Sequence, residues 1–208
     1  MWFEKVVKKE AKGFVQLIRY ADDFVVCFQI KEEAEAFGKA LEERLNKFGL
    51  KIAKDKSKTI KFGRYQWMEA KQKGKSLETF DFLGFTHYCD KTRTGKFKLG
   101  RKTAKSKFRH KIKELNQWMM KVRNQERLVD WWNVLKMKLV GHYHYYGISG
   151  NIQEMQAFYR ETIRLAHKWI NRRSEKKSYN WKQFLSFMKY NSLPRPKIYH
   201  SYPNLSSV

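Results

Sequence analysis

Two short runs rich in Val, Ile, Leu and Phe meet at an acidic pair in the stretch Phe14 to Ile30, FVQLIRYADDFVVCFQI. Each run has strand character, and an Asp pair between two such runs is a turn signal, so the stretch is predicted to be a β-hairpin with Tyr20-Ala21-Asp22-Asp23 at its tip. Adjacent carboxylates repel each other and destabilise a tip unless a cation lies beside them. Hard divalent ions such as Mg²⁺ take oxygen ligands, commonly one or two carboxylates together with substrate phosphates. Asp22 and Asp23 are therefore candidates for half of a phosphoryl-transfer metal site. A solvated turn with no chemistry is the competing reading of the same pair.

Around the hairpin the pattern is that of a small mixed fold. Met1 to Lys12 reads as a charged helix end, broken by Gly13. After Ile30, Glu32 and Glu33 suit the positive end of a helix dipole, and Ala34, Phe37, Leu41, Leu45 and Phe48 recur at helical spacing before Gly49. This helix is expected to pack its apolar face on the sheet that carries the hairpin. Leu50 to Ile52 and Thr59 to Phe62 are predicted as strand pieces around a basic loop, and residues 63–79 as an exposed insertion. In Phe80-Asp81-Phe82-Leu83-Gly84-Phe85 the aromatics favour a strand, and Gly84 permits a bulge or a close backbone approach.

Charge divides the chain. Residues 1–90 carry a net charge of +4, whereas residues 91–208 carry +21. Such asymmetry points to a polyanion-binding region joined to something nearly neutral. Aromatic residues make up 16% of the chain, and basic residues interleaved with Trp, Tyr and His suit phosphate contact combined with base stacking. A basic turn at Thr92 to Lys96 precedes the change, which places a boundary near residue 95. From Arg101 the pattern is helical. Phe108, Ile112, Leu115, Met119 and Val122 form one stripe, with Arg101, Lys102, Lys105, Lys107, Arg109, Lys111 and Lys113 crowding the rest of that helix. A second stripe runs through Leu128, Trp131, Leu135 and Leu139. A third helix is expected over about 152–170 and a shorter one over about 181–189. These amount to a small bundle, followed by an extended tail at Leu193 to His200, because each Pro moves its predecessor out of the helical region.

Several of these segments share a resemblance. Tyr20-Ala21-Asp22-Asp23 resembles the palm-domain signature of reverse transcriptases, and the wider Leu17 to Val26 resembles the group II intron-encoded reverse transcriptase/maturase branch. Trp2 to Lys9 is similar to the piece upstream of that hairpin. Gly49 to Ile52, followed by Ser57-Lys58-Thr59, resembles the next block, where a Lys lies near the bound nucleotide or template. Phe82-Leu83-Gly84 resembles the block that supports the primer end. Gly141-His142-Tyr143-His144-Tyr145-Tyr146 resembles the Gly-x-x-x-Tyr-Tyr core of the maturase thumb, domain X.

The resemblance implies an α+β fold. A partial palm (antiparallel sheet with helix) would occupy residues 1–95 and an all-α thumb bundle residues 96–208. It implies an RNA-directed DNA polymerase using Mg²⁺, with Asp22 and Asp23 as catalytic and metal-binding carboxylates. Tyr20, Ala21, Lys58, Phe82, Leu83 and Gly84 would lie on the nucleotide and primer side. Arg101, Lys102, Lys105, Lys107, Arg109, Lys111, His142, Tyr145 and Tyr146 would face RNA. Implied partners are group II intron RNA, a template–primer, a DNA target and a separate upstream half of the enzyme. The family's other essential Asp belongs to an earlier palm block, and no residue upstream of Trp2 supplies it. The expectation is thus an N-terminally truncated or split member, which binds RNA but polymerises only with a completed palm. A non-catalytic splicing cofactor or an inactive remnant is the alternative.

Other classes are disfavoured. No run of about 18 apolar residues exists to span a membrane, and Met1-Trp2-Phe3 does not begin a signal peptide. Cys27 and Cys89 stand far apart, which argues against a disulfide framework or a cysteine zinc site and suits the cytoplasm.

Overall fold

The computed structural model describes residues 2–173 and 179–201. The chain forms two compact units: Met1–Leu83 with Tyr88–Leu99, and Gly84–His87 with Gly100–Val208.

In the first unit a π-helical turn, Phe3–Val7, runs into a short helix α1, Lys8–Glu10. The predicted hairpin follows as β1, Val15–Tyr20, and β2, Asp23–Phe28, paired antiparallel from Val15↔Phe28 to Tyr20↔Asp23. Helix α2, Lys31–Asn46, packs through Phe37, whose ring lies 5.3 Å from that of Phe28, 5.9 Å from Trp2 and 6.0 Å from Phe3. The Lys12 N–H donates to Glu33 Oε1 at 2.7 Å and fastens the lead-in to the helix. The core is thin here. Among the described residues of this unit, only Phe3, Val15 and Ala70 are fully buried hydrophobics, and α2 buries no residue completely.

Two expectations change in this unit. Residues 50–62 form no strand, and the segment expected as an exposed insertion holds helix α3, Arg64–Lys73. Its sequence, RYQWMEAKQK, contains good helix formers but no apolar stripe, so periodicity does not mark it. Glycines bracket it instead, Gly63 at φ 115° before its start and Gly74 at φ 62° as a left-handed cap.

A three-stranded sheet of order β3-β4-β5 follows: β3 Phe80–Phe82, β4 Phe85–Lys91 and β5 Phe97–Thr103. Short turns join neighbours, which makes the strands antiparallel. Leu83 and Gly84 form the first turn with φ of 48° and 79°. Thr92 to Lys96 forms the second, closed by the Thr92 N–H donating to the Lys96 carbonyl at 2.8 Å.

The second unit is helical and thickly packed. It contains α4 Lys105–Val122, α5 Leu128–Tyr146, α6 Ile152–Asn171 and α7 Trp181–Tyr190. The apolar stripes read from the sequence converge. Met119, Trp131, Leu135, Leu139, Tyr143, Met155, Ala166 and Phe184 lie in one core with at most 1% exposure. At roughly 1.5–3 kcal/mol for each large apolar side chain, this cluster dominates the stability of the unit. Asn180 starts α7 with a reciprocal capping box to Gln183. The tail is extended, and its Tyr199 and His200 N–H groups donate to the Gly147 carbonyl at 2.7 and 2.9 Å. Only glycine fits position 147, because a Cβ there would strike the Tyr143 carbonyl and sit 2.9 Å from that of Lys197. Among the described residues no helix is long and apolar enough to cross a membrane.

Candidate functional site

The register Tyr20↔Asp23 leaves Ala21 and Asp22 as a two-residue loop. Ala21 has φ 52° whereas Asp22 does not have positive φ, the sign pattern of a type II′ hairpin turn. Such turns favour Gly at the first position. An alanine there holds a left-handed conformation that costs roughly 1–2 kcal/mol. Arg19 Nε donates to the Ala21 carbonyl at 2.7 Å and holds the strained residue in place. The result is a fixed tip that presents Asp22 from the loop and Asp23 from the first position of β2. Both are exposed, as is Tyr20 at 67%, and neither Asp forms an ion pair with a described residue.

Two exposed, unpaired carboxylates on a stiff turn fit one side of a Mg²⁺ site, since that ion takes one or two protein carboxylates and fills its shell with water and phosphate. Among the described residues no third His, Cys, Asp or Glu joins them in a metal-holding group. The tip by itself thus offers an anchoring pair and not a full two-metal cage.

The other nucleotide-side candidates of this unit have defined positions. Lys58 Nζ donates to the Thr79 carbonyl at 2.7 Å, just before β3. Phe82 ends β3, which lies beside β2, and Leu83 opens the turn that follows. The strand expected over residues 80–85 is thereby a hairpin corner, with the Phe-Leu-Gly tripeptide turning the chain.

In the second unit the Gly84 corner meets the double tyrosine at the end of α5. A Cβ at Gly84 would sit 3.4 Å from Tyr146 Oη and 3.7 Å from the Tyr145 ring, so a bare backbone allows the contact. Phe85 stacks on Tyr145, with centroids 6.0 Å apart and planes inclined by 10°, and meets Tyr146 edge-on at 5.4 Å. The two motifs, some sixty residues apart, are one packed junction. Tyr145 is 55% exposed, but Tyr146 is buried with its ring in the core. His142 stacks on Phe158 at 3.7 Å and lies 4.7 Å from Tyr146. Burial first, and the Lys111 charge second, lower its pKa to about 4, so the imidazole is neutral at pH 7.

The basic residues divide between two elements. Arg101 and Lys102 lie on strand β5 and not, as expected, on the following helix, because the sheet continues to Thr103 before α4 begins. Lys105, Lys107, Arg109 and Lys111 are exposed on the first half of α4, with Lys111 paired to Glu114 at 2.8 Å. Lys102 and Lys105 also line a cleft of about 260 Å³ with Thr86, Thr103, Phe108 and Glu154. Thr103, on the wall of this cleft, takes part in a polar contact that has no sequence signature. Buried Asn151 bonds Thr103 and Tyr146, and so ties β5, α5 and α6 together. A lone Asn before a helix carries no signal of this kind.

No curated protein and no solved structure matches the chain. Residues 2–87, which include the hairpin, α2 and the Phe-Leu-Gly corner, match the family model described as reverse transcriptase (RNA-dependent DNA polymerase).

Proposed function

We propose that the chain works as a group II intron-encoded reverse transcriptase/maturase, with the end of the palm in residues 1–95 and the thumb from residue 96 onward. The observation that carries this reading is the strained Tyr-Ala-Asp-Asp tip, which displays two unpaired carboxylates within the segment that matches reverse transcriptases. Asp22 and Asp23 hold the catalytic Mg²⁺. When bound, that ion would polarise the phosphate oxygens of a deoxynucleotide and favour attack by a primer hydroxyl. Tyr20 and Ala21 border the primer and nucleotide, Lys58 approaches from the next block, and Phe82-Leu83-Gly84 supports the primer end. Arg101, Lys102, Lys105, Lys107, Arg109 and Lys111 grip RNA phosphates, and Tyr145 adds a stacking surface. The setting is the cytoplasm, which suits two free cysteines.

One carboxylate pair does not complete a two-metal site, so on this reading the remaining carboxylate comes from outside residues 2–201, in a complementing palm segment. The test is primer extension on an RNA template with Mg²⁺ and four deoxynucleotides. The chain is assayed alone, and with an upstream palm half from a related enzyme. Extension only in the mixture, lost in Asp22→Asn, is the expected result. Extension by the pure chain would overturn the need for a complementing segment, and extension by Asp22→Asn in the mixture would sink the assignment of Asp22. A second reading, an RNA-binding splicing cofactor without polymerase chemistry, is favoured by the placement of charge, with +21 in residues 91–208. On that reading Asp22→Asn leaves splicing unaffected.

A further inference from the structure

At the C-terminal ends of α4 and α6, three cations gather on one indole. The guanidinium of Arg123 lies 4.8 Å from the centroid of the Trp169 ring, Lys168 Nζ 4.7 Å and the guanidinium of Arg172 5.5 Å. No two of these charges can then be more than about 10 Å apart, roughly one Debye length at 0.1 M salt, so they repel each other without effective screening. Among the described residues none pairs with a carboxylate. One residue on, Arg173 keeps its Nη1 out of water without a hydrogen-bond partner.

Local structure explains part of the cluster and leaves the rest over. Arg123 is the C-cap of α4 and Arg172 that of α6, and cations suit the negative end of a helix dipole. Two helix ends supply roughly half a negative charge each, against three full positive charges. The electron-rich indole face adds attraction without adding charge. About two positive charges therefore remain unbalanced at a fixed place. The place is fixed because Trp169 is only 4% exposed and its Nε1–H donates to Asn116 Oδ1 at 2.9 Å.

We propose that Arg123, Lys168 and Arg172 form a cradle for phosphodiester groups of RNA, anchored on Trp169. The chemistry favours a phosphate. The buried indole, its surroundings filled by cations, leaves no free face for a base to stack on, while guanidinium forks match phosphate oxygens two at a time. The cradle is a second anchoring point for the RNA. The basic run Lys105 to Lys111 occupies the start of α4 and Arg123 caps its end, and the helix from Lys105 to its cap is roughly 27 Å long. The proposal rests on the RNA-binding reading above.

The test uses the full chain, a ten-nucleotide oligouridylate and a salt series. Replacing all three residues with Gln (Arg123→Gln, Lys168→Gln, Arg172→Gln) should make the log–log salt slope of binding shallower by about 2, three contacts at roughly 0.7 each. The melting temperature should be unchanged or higher, because self-repulsion is relieved. An unchanged slope with a lowered melting temperature would mean that the cations serve only the helix ends, which overturns the cradle and leaves RNA binding intact. The indole N–H resonance of Trp169, assigned with Trp169→Phe, gives a readout in the unmodified chain. It should shift on adding the oligouridylate. If the chain binds no RNA, the RNA reading fails, and inorganic phosphate then decides the cradle: a saturable shift of that resonance keeps it as an anion site, and no shift removes it. Should the triple variant not fold, Lys168→Gln alone, at an exposed position, should reduce the slope by about 0.7.

Discussion

Asn151 joins three elements around the packed junction of the second unit, and its replacement should be among the most damaging single changes in the chain. Its side chain is completely buried. Oδ1 accepts from the Thr103 N–H at 2.8 Å, and Nδ2 donates to Thr103 Oγ1 at 2.8 Å and to the Tyr146 carbonyl at 2.9 Å. Asn151→Leu keeps the branched shape and the number of side-chain heavy atoms and removes all three bonds. The Tyr146 carbonyl retains a second donor, the Ile148 N–H at 2.8 Å, but the Thr103 N–H is left buried with no acceptor. Net hydrogen bonds contribute about 1 kcal/mol each, and an orphaned buried donor costs about 1–3 kcal/mol, so the expected loss is about 3–4 kcal/mol. Urea unfolding followed by tryptophan fluorescence measures it, since Trp118, Trp131, Trp132, Trp169 and Trp181 all report on this unit. Thr103→Val removes only the hydroxyl, and its double-mutant cycle with Asn151→Ala should give a coupling of about 1 kcal/mol. A cost below about 1 kcal/mol for Asn151→Leu would refute the idea that this contact fixes the junction.

Two further outcomes test the interior of the same unit. His142 has a folded pKa of about 4, below its usual value of about 6.5, so between these values the unfolded chain binds more protons than the folded one. Its contribution is fully present above about pH 6.5 and is lost as pH falls toward 4, an upper limit of about 3 kcal/mol. His142→Gln should flatten the stability profile over that window, and an unchanged profile would mean that the stacked imidazole takes up its proton freely. The Tyr143 hydroxyl is buried without a hydrogen-bond partner among the described residues, and burial pushes its pKa up. Tyr143→Phe should therefore be neutral or stabilising by up to about 1 kcal/mol, and a loss of more than 1 kcal/mol in the same urea assay would show that the hydroxyl is bonded.

How much could be read from the sequence depended on whether a feature is local. The Tyr20 to Asp23 turn, the acidic first turn of α2 and the stripes of α4 to α6 are set by neighbours in the chain, and all appear where periodicity and turn chemistry place them. Helix α3 escaped because its apolar residues form no stripe. Arg101 and Lys102 lie on a strand although the helical pattern that follows extends to them in sequence, because Lys-rich segments suit a strand edge and a helix surface equally well and only pairing within the sheet decides between them. Gly84 marks a point of close approach in the sequence, but its partner, the end of α5, is some sixty residues away. The Asn151 bonds and the cations around Trp169 join residues with no common pattern in sequence, and for such contacts periodicity has nothing to report.

The hairpin itself carries one more piece of information. Alternation along its strands directs Val15, Leu17, Val26 and Phe28 to one face, where Phe28 meets Phe37 of α2. The opposite face carries Phe14, Ile18, Tyr20 and Val25, of which the first three are 66%, 50% and 67% exposed. A sheet with one face in water alternates apolar with polar, whereas a sheet covered on both sides is apolar throughout. These strands lie between the two patterns: the second face mixes Ile18, Tyr20 and Val25 with Gln16, Asp23 and Cys27, and its large apolar members Ile18 and Tyr20 are exposed. The first unit also buries few hydrophobics outright. A carboxylate pair presented at the end of such a hairpin needs a further carboxylate, and its strands need a further layer. On the function proposed here a single complementing palm segment answers both needs, because a strand laid beside the exposed face would bring its own side chains to the tip.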